Sequence, residues 1–364
     1  MSNSFFPSRR LTIYMAKAFL VRTFAFLAIL ILVLQTLDLL GETGHVLAYP
    51  GNGNPELWRY VTLRCPQLIS TFLPYSVLLG TLATFFTLNQ NSEVISMKAS
   101  GLSAHQILAP TILASLLIAV ISFAFNERVV VRATAELSRW EAAGFGPIPV
   151  DRSGLTDVWV KDGTNLIHAD TVLGRGAATQ LKGVTIYQRS TRALNGIIRA
   201  TSAHAFQTGW QLVDARAFDV ATGVERPLGT IIGASGVRPD QFTLASVDAE
   251  RTPIDTLSTA ITDLRAAGRP TESLEAGWWH KISGPLSALL MPLLGSVAAF
   301  GLARSGKLFV RAVIGMALGF MYFVADNAAL AMGNIGVYPP FLAAWGPFFL
   351  FLLIGETVLV RTEE

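Results

Sequence analysis

Gly301-Leu302-Ala303-Arg304-Ser305-Gly306-Lys307-Leu308 comes within one residue of a phosphate-binding loop. Such a loop needs glycines that let backbone N–H groups cradle phosphate, a lysine to reach it, and a Ser or Thr hydroxyl after the lysine to hold magnesium. Leu308 stands where the hydroxyl belongs. The run also joins two apolar stretches, whereas a phosphate loop sits between a strand and a helix of a soluble α/β domain. It reads as a basic turn, so any nucleotide chemistry must come from a partner. His45, His105, His168, His204 and His280 are scattered and form no His-Glu-x-x-His pair to hold zinc. Gly-x-Ser-x-Gly is absent. The chain is therefore expected to be non-catalytic, with no cofactor or metal of its own.

The chemistry that remains belongs to single polar groups in apolar surroundings. Asp38 and Asp326 fall within apolar runs, where an ionisable group is costly and faces protein or a wet cavity. Each either lines a substrate path or holds a neighbouring helix. A second feature lies between two apolar runs: Asn91-Ser92-Glu93-Val94-Ile95-Ser96-Met97-Lys98-Ala99-Ser100-Gly101. It reads as a short helix with Ser92 as N-cap, Glu93 at the positive end of the helix dipole, and Gly101 as a left-handed terminator. Val94, Ile95 and Met97 would give it an apolar surface, either for a groove on a partner protein or for the lipid surface.

The elements that position these residues are membrane spans. A helix needs roughly 20 mostly apolar residues to cross the hydrocarbon, and spans are expected near 13–40, 60–88, 105–127, 279–302, 309–332 and 339–360. Composition agrees: mean hydropathy is +0.47, 51% of residues are apolar and 15% are charged, against about 25% charged in soluble domains. The first span has no small-residue cleavage site after it and is not a signal peptide. A net charge of +3 without a basic, aromatic-studded segment excludes a nucleic-acid partner. Arg9, Arg10, Lys17, Arg22, Lys98, Arg304, Lys307, Arg311 and Arg361 fall on one side of the six spans, and Arg59 and Arg64 on the other. The positive-inside rule then puts both termini in the cytoplasm and the 128–278 insert outside.

That insert reads as β structure: β-branched and aromatic runs at 158–161, 165–172, 184–188, 210–213, 217–220 and 230–232 recur between turn residues. Asp162-Gly163-Thr164 marks a hairpin, since Gly supplies the positive φ it needs. About 100 residues of such antiparallel strands suit a small sandwich or jelly roll. Cys65 is the sole cysteine, so no internal disulfide braces the insert. Ile254, Leu257, Ile261 and Leu264 then switch to helical spacing, and Pro270 breaks the chain before the fourth span. The expected domains are helices 1–3 over 1–127 with the short helix near 92–101, a β domain over 128–252, a helical connector over 253–278, and helices 4–6 over 279–364. The fold class is thus an α-helical polytopic membrane protein with six transmembrane helices and an inserted periplasmic all-β, jelly-roll-like domain between helices 3 and 4.

The run from Ser92 to Gly101 resembles the signature of the YjgP/YjgQ permeases, the LptF/LptG family of the lipopolysaccharide exporter. The resemblance extends over nearly the whole chain. It includes Phe72-Leu73-Pro74, Trp159-Val160-Lys161-Asp162-Gly163, Trp279-His280-Lys281-Ile282 with Pro285-Leu286, and Gly319-Phe320 followed by Tyr322 and Asp326. The Lys161-Asp162-Gly163 element and the opening of the fourth span look closer to the LptG branch.

This resemblance implies a permease subunit of an ABC transporter in a Gram-negative inner membrane. Its partners would be an LptF-like paralogous permease, an LptB-like ATPase dimer that binds ATP and Mg, and an LptC-like single-span bridge protein. Lipopolysaccharide would enter from the outer leaflet of the membrane lipid and leave for a periplasmic bridge. Ser92, Glu93, Val94, Ile95 and Met97 would couple to the ATPase. An amphiphile needs an apolar wall and positive groups near the outer surface. Phe72 is a wall candidate, and Arg132 and Arg139 are phosphate candidates through their forked donors. Asp38 and Asp326 complete the cavity candidates. Basic residues common at the outer end of the family's first span are missing here, where Gln35, Asp38, Gly41 and Glu42 stand. A secondary transporter and a membrane-anchored periplasmic sensor are the alternative readings. Neither explains both the central insert and the absence of a midplane acidic cluster or a cytoplasmic signalling domain.

Overall fold

A computed structural model describes residues 7–147, 155–174, 178–190, 193–206, 209–234, 236–239, 242, 248–266, 270–296 and 308–361. The 301–308 turn therefore lies largely outside the described residues. Two compact units result, Met1–Gly146 with Ala249–Glu364, and Pro147–Asp248.

The first unit is helical: α1 (Arg9–Leu47), α2 (Asn54–Gln90), α3 (Glu93–Ala99), α4 (Ala104–Phe125), a π-turn (Asn126–Val130), α5 (Val131–Ala142), α6 (Ile254–Ala266), α7 (Glu272–Gly295), α8 (Leu308–Asn334) and α9 (Pro340–Arg361). Among the described residues, five helical stretches are long and apolar enough to cross a membrane: Arg9–Leu47, Asn54–Gln90, Ala104–Ala142, Ala312–Asn334 and Pro340–Arg361. The first has 39 residues, about 58 Å at 1.5 Å per residue, so it extends beyond a hydrocarbon core of roughly 30 Å.

Prolines interrupt α2 (Pro66, Pro74), α4 (Pro110), α7 (Pro285, Pro292) and α9 (Pro347). They are tolerated because neighbouring helices and hydroxyl side chains satisfy the freed backbone groups. α4 starts on a full capping box: Ser103 Oγ accepts from Gln106 N, and Ser103 N donates to Gln106 Oε1.

One apolar core joins these helices. Phe19 and Leu27 (α1), Val77, Leu78 and Leu82 (α2), Ile118 (α4), Met291 and Leu294 (α7), Tyr322 and Phe323 (α8), and Phe348 and Phe351 (α9) pack into it. α1 and α2 approach closely where Gly80 meets the backbone of Thr23, the small-residue contact that membrane helices favour. Facing outward are Ile29, Leu32, Leu37 and Leu40 of α1 and Leu117, Val120 and Ile121 of α4. This exposed apolar surface suits lipid, and it would be an aggregation hazard in water.

The expected boundary after residue 127 falls inside a continuous helical stretch. The third long helix continues through the π-turn to Ala142, and the β unit begins at Pro147. Asn126-Glu127-Arg128 lowers hydropathy without breaking the helix, and the following turns are amphipathic, with Val131, Thr134, Leu137 and Trp140 buried. The connector helix appears as expected, with Leu257, Ile261 and Leu264 buried.

The second unit holds β1 (Leu155–Asp162), β2 (Asn165–Leu173), β3 (Gln180–Arg189), β4 (Leu194–Phe206), β5 (Gly209–Asp219) and β6 (Glu225–Gly233). These strands pair antiparallel in the order β1-β2-β3-β4-β5-β6. The described strands are thus one consecutive antiparallel meander. The β1–β2 hairpin turns at Gly163 as expected, with Asp162 opposite Asn165 and φ +60° at the glycine. β4, absent from the sequence expectation, has 13 residues. The runs at 210–213 and 217–220 are two halves of β5.

Val158, Val160, Ile167, Leu181, Val184, Ile186, Trp210 and Leu212 form the core of this unit. Trp210 Nε1 donates to Val237 O at 2.8 Å, so the buried indole keeps its polar bond. At the β5–β6 turn the Thr222 and Ala221 N–H groups donate to Asp219, holding that carboxyl below its usual pKa.

Candidate functional site

The short foot α3 is built differently from its sequence expectation. Ser92 occupies the N-cap position in a left-handed conformation, φ +59°, and its side chain makes no capping bond. The chain needs that turn to reverse after α2, and a hydroxyl in this geometry points away from the first N–H groups. The C-terminal end follows the expectation: Gly101, φ +90°, donates to Lys98 O, and Leu102 N donates to Met97 O, a Schellman closure.

Val94 and Met97 are 3% and 8% exposed and pack with Met15, Phe85, Leu88, Ile107 and Leu108. They anchor the foot to its own protein. Ile95 remains 50% exposed, so of the three apolar residues expected on a partner surface it alone is displayed. Glu93 accepts from Tyr14 OH at 3.4 Å and from Asn91 Nδ2 at 3.2 Å. The carboxylate is thereby held beside Ile95 at the start of the helix.

Asp38 is engaged by α2. Arg64 donates through Nε (3.1 Å) and Nη2 (3.0 Å), and Tyr60 OH donates at 2.7 Å. This forked pair fastens α1 to α2. Asp38 thereby neutralises Arg64. Asp326 on α8 lies 3.0 Å from His280 Nε2 on α7 and is 8% exposed. Both acids hold neighbouring helices in this structure.

Beside His280, Lys281 Nζ donates to Glu127 Oε1 at 2.7 Å, with side-chain exposures of 7% and 14%. Glu127 Oε2 also accepts from Ile254 N at 2.8 Å, capping α6. This buried pair sits on the π-turn, a helix irregularity found mainly at functional positions. Neither residue was a sequence candidate. The available signal was a lysine near the start of the fourth apolar stretch.

α5 carries Arg132 and Arg139 on its exposed face. Their spacing of seven places both on one side of the helix. Neither has an ion-pair partner among the described residues. α5 is latched to α2 by Arg59, which donates to Glu136 at 2.9 Å and lies 4.7 Å over Trp140. Phe72 is half-buried, 5.7 Å from Tyr75, which stacks on Phe323 at 3.8 Å. The candidates thus fall at separate places on the helical unit: the foot, the Asp38 and Asp326 fasteners, the α5 arginines, and the aromatic wall.

A bundle of long apolar helices with an inserted antiparallel sheet and a short foot between two spans defines a polytopic membrane protein. Residues 13–361 match the model of the family described as "Lipopolysaccharide export system permease LptF/LptG", and the chain belongs to that family. It is similar to the lipopolysaccharide export system permease protein LptG of Escherichia coli K12, with 27% identity over 312 residues covering 83% of this chain and 84% of that protein. It is also similar to LptG of Haemophilus influenzae, with 26% identity over 328 residues covering 86% and 89%. The chain is accordingly a multi-pass inner-membrane protein.

Proposed function

We propose that this chain is the LptG-type wall of an ATP-driven lipopolysaccharide exporter. Family membership supports transport of lipopolysaccharide. The observation that carries the mechanism is the foot: Val94 and Met97 fix α3 to the helical core, while Ile95 faces outward with the half-buried Glu93 carboxylate beside it, held by Tyr14 and Asn91. An anchored lever is what a partner ATPase needs in order to move a permease, because sub-ångström displacement at a packed contact is transmitted rather than absorbed.

In this reading an ATPase dimer binds ATP and Mg and grips the foot on the cytoplasmic side, where both termini also lie. α7 completes six spans, with its polar N-terminal turns at the outer surface. A paralogous permease supplies the second wall of the cavity, and a single-span protein leads to the periplasmic bridge. Phe72 and its aromatic neighbours meet acyl chains. Arg132 and Arg139 meet phosphate at the outer rim, and Asp38 and Asp326 keep the helices of this wall in register. Export, rather than ion-coupled carriage, is favoured because Asp38, Asp326 and Lys281 are each engaged by a partner, Arg64, His280 and Glu127.

Purification of the chain from its own membranes in mild detergent, with identification of every bound protein and lipid, tests this. An ATP-hydrolysing subunit, a second permease and lipopolysaccharide are expected together. An active homomer without them would overturn the reading.

A further inference from the structure

The β unit turns a polar face to solvent that the export reading does not use. Trp159 is 48% exposed between the buried Val158 and Val160, so it stands on the outer side of the sheet. Cross-strand register continues that row from Trp159 to His168, Thr185, Arg199 and Arg216. At about 4.8 Å per strand it spans roughly 19 Å.

Its first end is an aromatic platform. The indole lies 4.5 Å from the His168 ring and 5.7 Å from Tyr187, the latter at an interplanar angle of 16°. Asp157 Oδ1 accepts from Trp159 Nε1 (3.2 Å) and lies 2.7 Å from His168 Nε2. One carboxylate therefore fixes both rings. Asp157 does so at φ +56°, a backbone conformation unusual for a residue with a side chain in a strand. Such strain persists where its surroundings or a function hold it.

The other end is a cleft of about 590 Å³ lined by Asp170, Gly183, Thr185, Arg199, Asp214 and Arg216, within the range of small-ligand sites. The backbone is bent to form it. Gly183 has φ +62°, and a Cβ there would collide with Asp170 Oδ2, while Asp214 at φ +54° marks a bulge between β5 and β6. Arg199 and Arg216 are exposed and directly opposite each other, and neither forms an ion pair among the described residues. Like charges so placed repel, and an anion between them would remove that penalty through forked hydrogen bonds.

We infer that this outer face binds an acidic oligosaccharide: sugar rings stack on Trp159, hydroxyls meet Asp170 and Asp214, and a carboxylate or phosphate substituent bridges Arg199 and Arg216. The inference deepens the export reading, on which it rests for its ligand source, by assigning the saccharide part of lipopolysaccharide to a face of its own.

The test titrates the full chain in detergent with deacylated lipopolysaccharide oligosaccharide, intact lipopolysaccharide and neutral maltohexaose. The deacylated oligosaccharide should bind, with Kd raised at least tenfold by Trp159→Ala and by Arg199→Gln/Arg216→Gln, and maltohexaose should bind at least tenfold more weakly. Thermal unfolding checks that these variants keep their fold, and Lys182→Gln, an exposed neighbour outside the row, controls for loss of general charge. Absence of oligosaccharide binding, affinities unchanged in the variants, or binding of intact lipopolysaccharide alone would overturn the inference. Equal affinity for maltohexaose would do the same, since the arginine bridge would then be idle. Co-purification in the same preparations separates the two claims: partners present without oligosaccharide binding sinks only the sugar face, whereas binding without partners sinks the export reading.

Discussion

Replacing Lys281 by Met keeps the aliphatic stem and removes the ammonium that closes on Glu127 at 2.7 Å. The Glu127 carboxylate, 14% exposed, would then be left with the single donor Ile254 N. Stranding one partner of a buried ion pair costs about 3–5 kcal/mol. At about 2–4 °C per kcal/mol for large domains, the unfolding midpoint should fall by about 10 °C. Glu127→Gln should fall similarly, since it strands Lys281 while still accepting from Ile254 N. The double variant, with no buried charge, should recover most of the loss, so the two single losses should be strongly non-additive. The assay is thermal unfolding of the purified chain in one detergent at one scan rate, because membrane proteins unfold irreversibly and the midpoint depends on rate. Additive single losses, or midpoints within about 2 °C of the parent for all three variants, would refute the claim that this pair fastens α6 and α7 to the π-turn.

Three further outcomes follow from the same geometry. Ile95→Asp should lower ATPase co-purification at least tenfold with membrane insertion intact, about 1.4 kcal/mol or more of lost association, and unchanged recovery would remove the foot from the mechanism. Gly80→Ala should destabilise by about 1–3 kcal/mol, since the new methyl meets Thr23 N and Cα at 2.9 and 2.8 Å and backbone cannot yield cheaply; a midpoint equal to the parent's would show that α1 and α2 separate without cost. Arg132→Glu/Arg139→Glu should reduce lipopolysaccharide-stimulated ATP hydrolysis of the purified complex more than basal hydrolysis, and equal losses would point to structural damage instead.

Periodicity and hydropathy carry local information, and the parts of the fold that depend on them were legible. Five of the six expected spans, the Gly163 hairpin and the Ile254–Ala266 helix appear where the residues place them, while the stretch expected at 279–302 is not among the helices long and apolar enough to cross a membrane in the described residues. The foot was legible as a helix, but which of its faces is used was not: burial of Val94 and Met97 depends on Met15, Phe85 and Ile107, which lie elsewhere in the chain. The helix end at Ala142 was hidden because Asn126-Glu127-Arg128 mimics an exit from the membrane, although Glu127 is in fact neutralised by a lysine 154 residues away. Long-range pairs of this kind leave no spacing signal. β4 was missed because Ala, Ser and Gly dilute its β-branched residues, and its pairing with β3 and β5 outweighs propensity.

The central claim is that lipopolysaccharide moves through a wall driven from outside this chain. Proteoliposomes containing the complex purified from native membranes, loaded with labelled lipopolysaccharide and supplied with a soluble periplasmic acceptor, measure it directly. Transfer to the acceptor should require ATP and should stop in the Ile95→Asp complex. Transfer by this chain alone, without nucleotide or partner, would contradict the account.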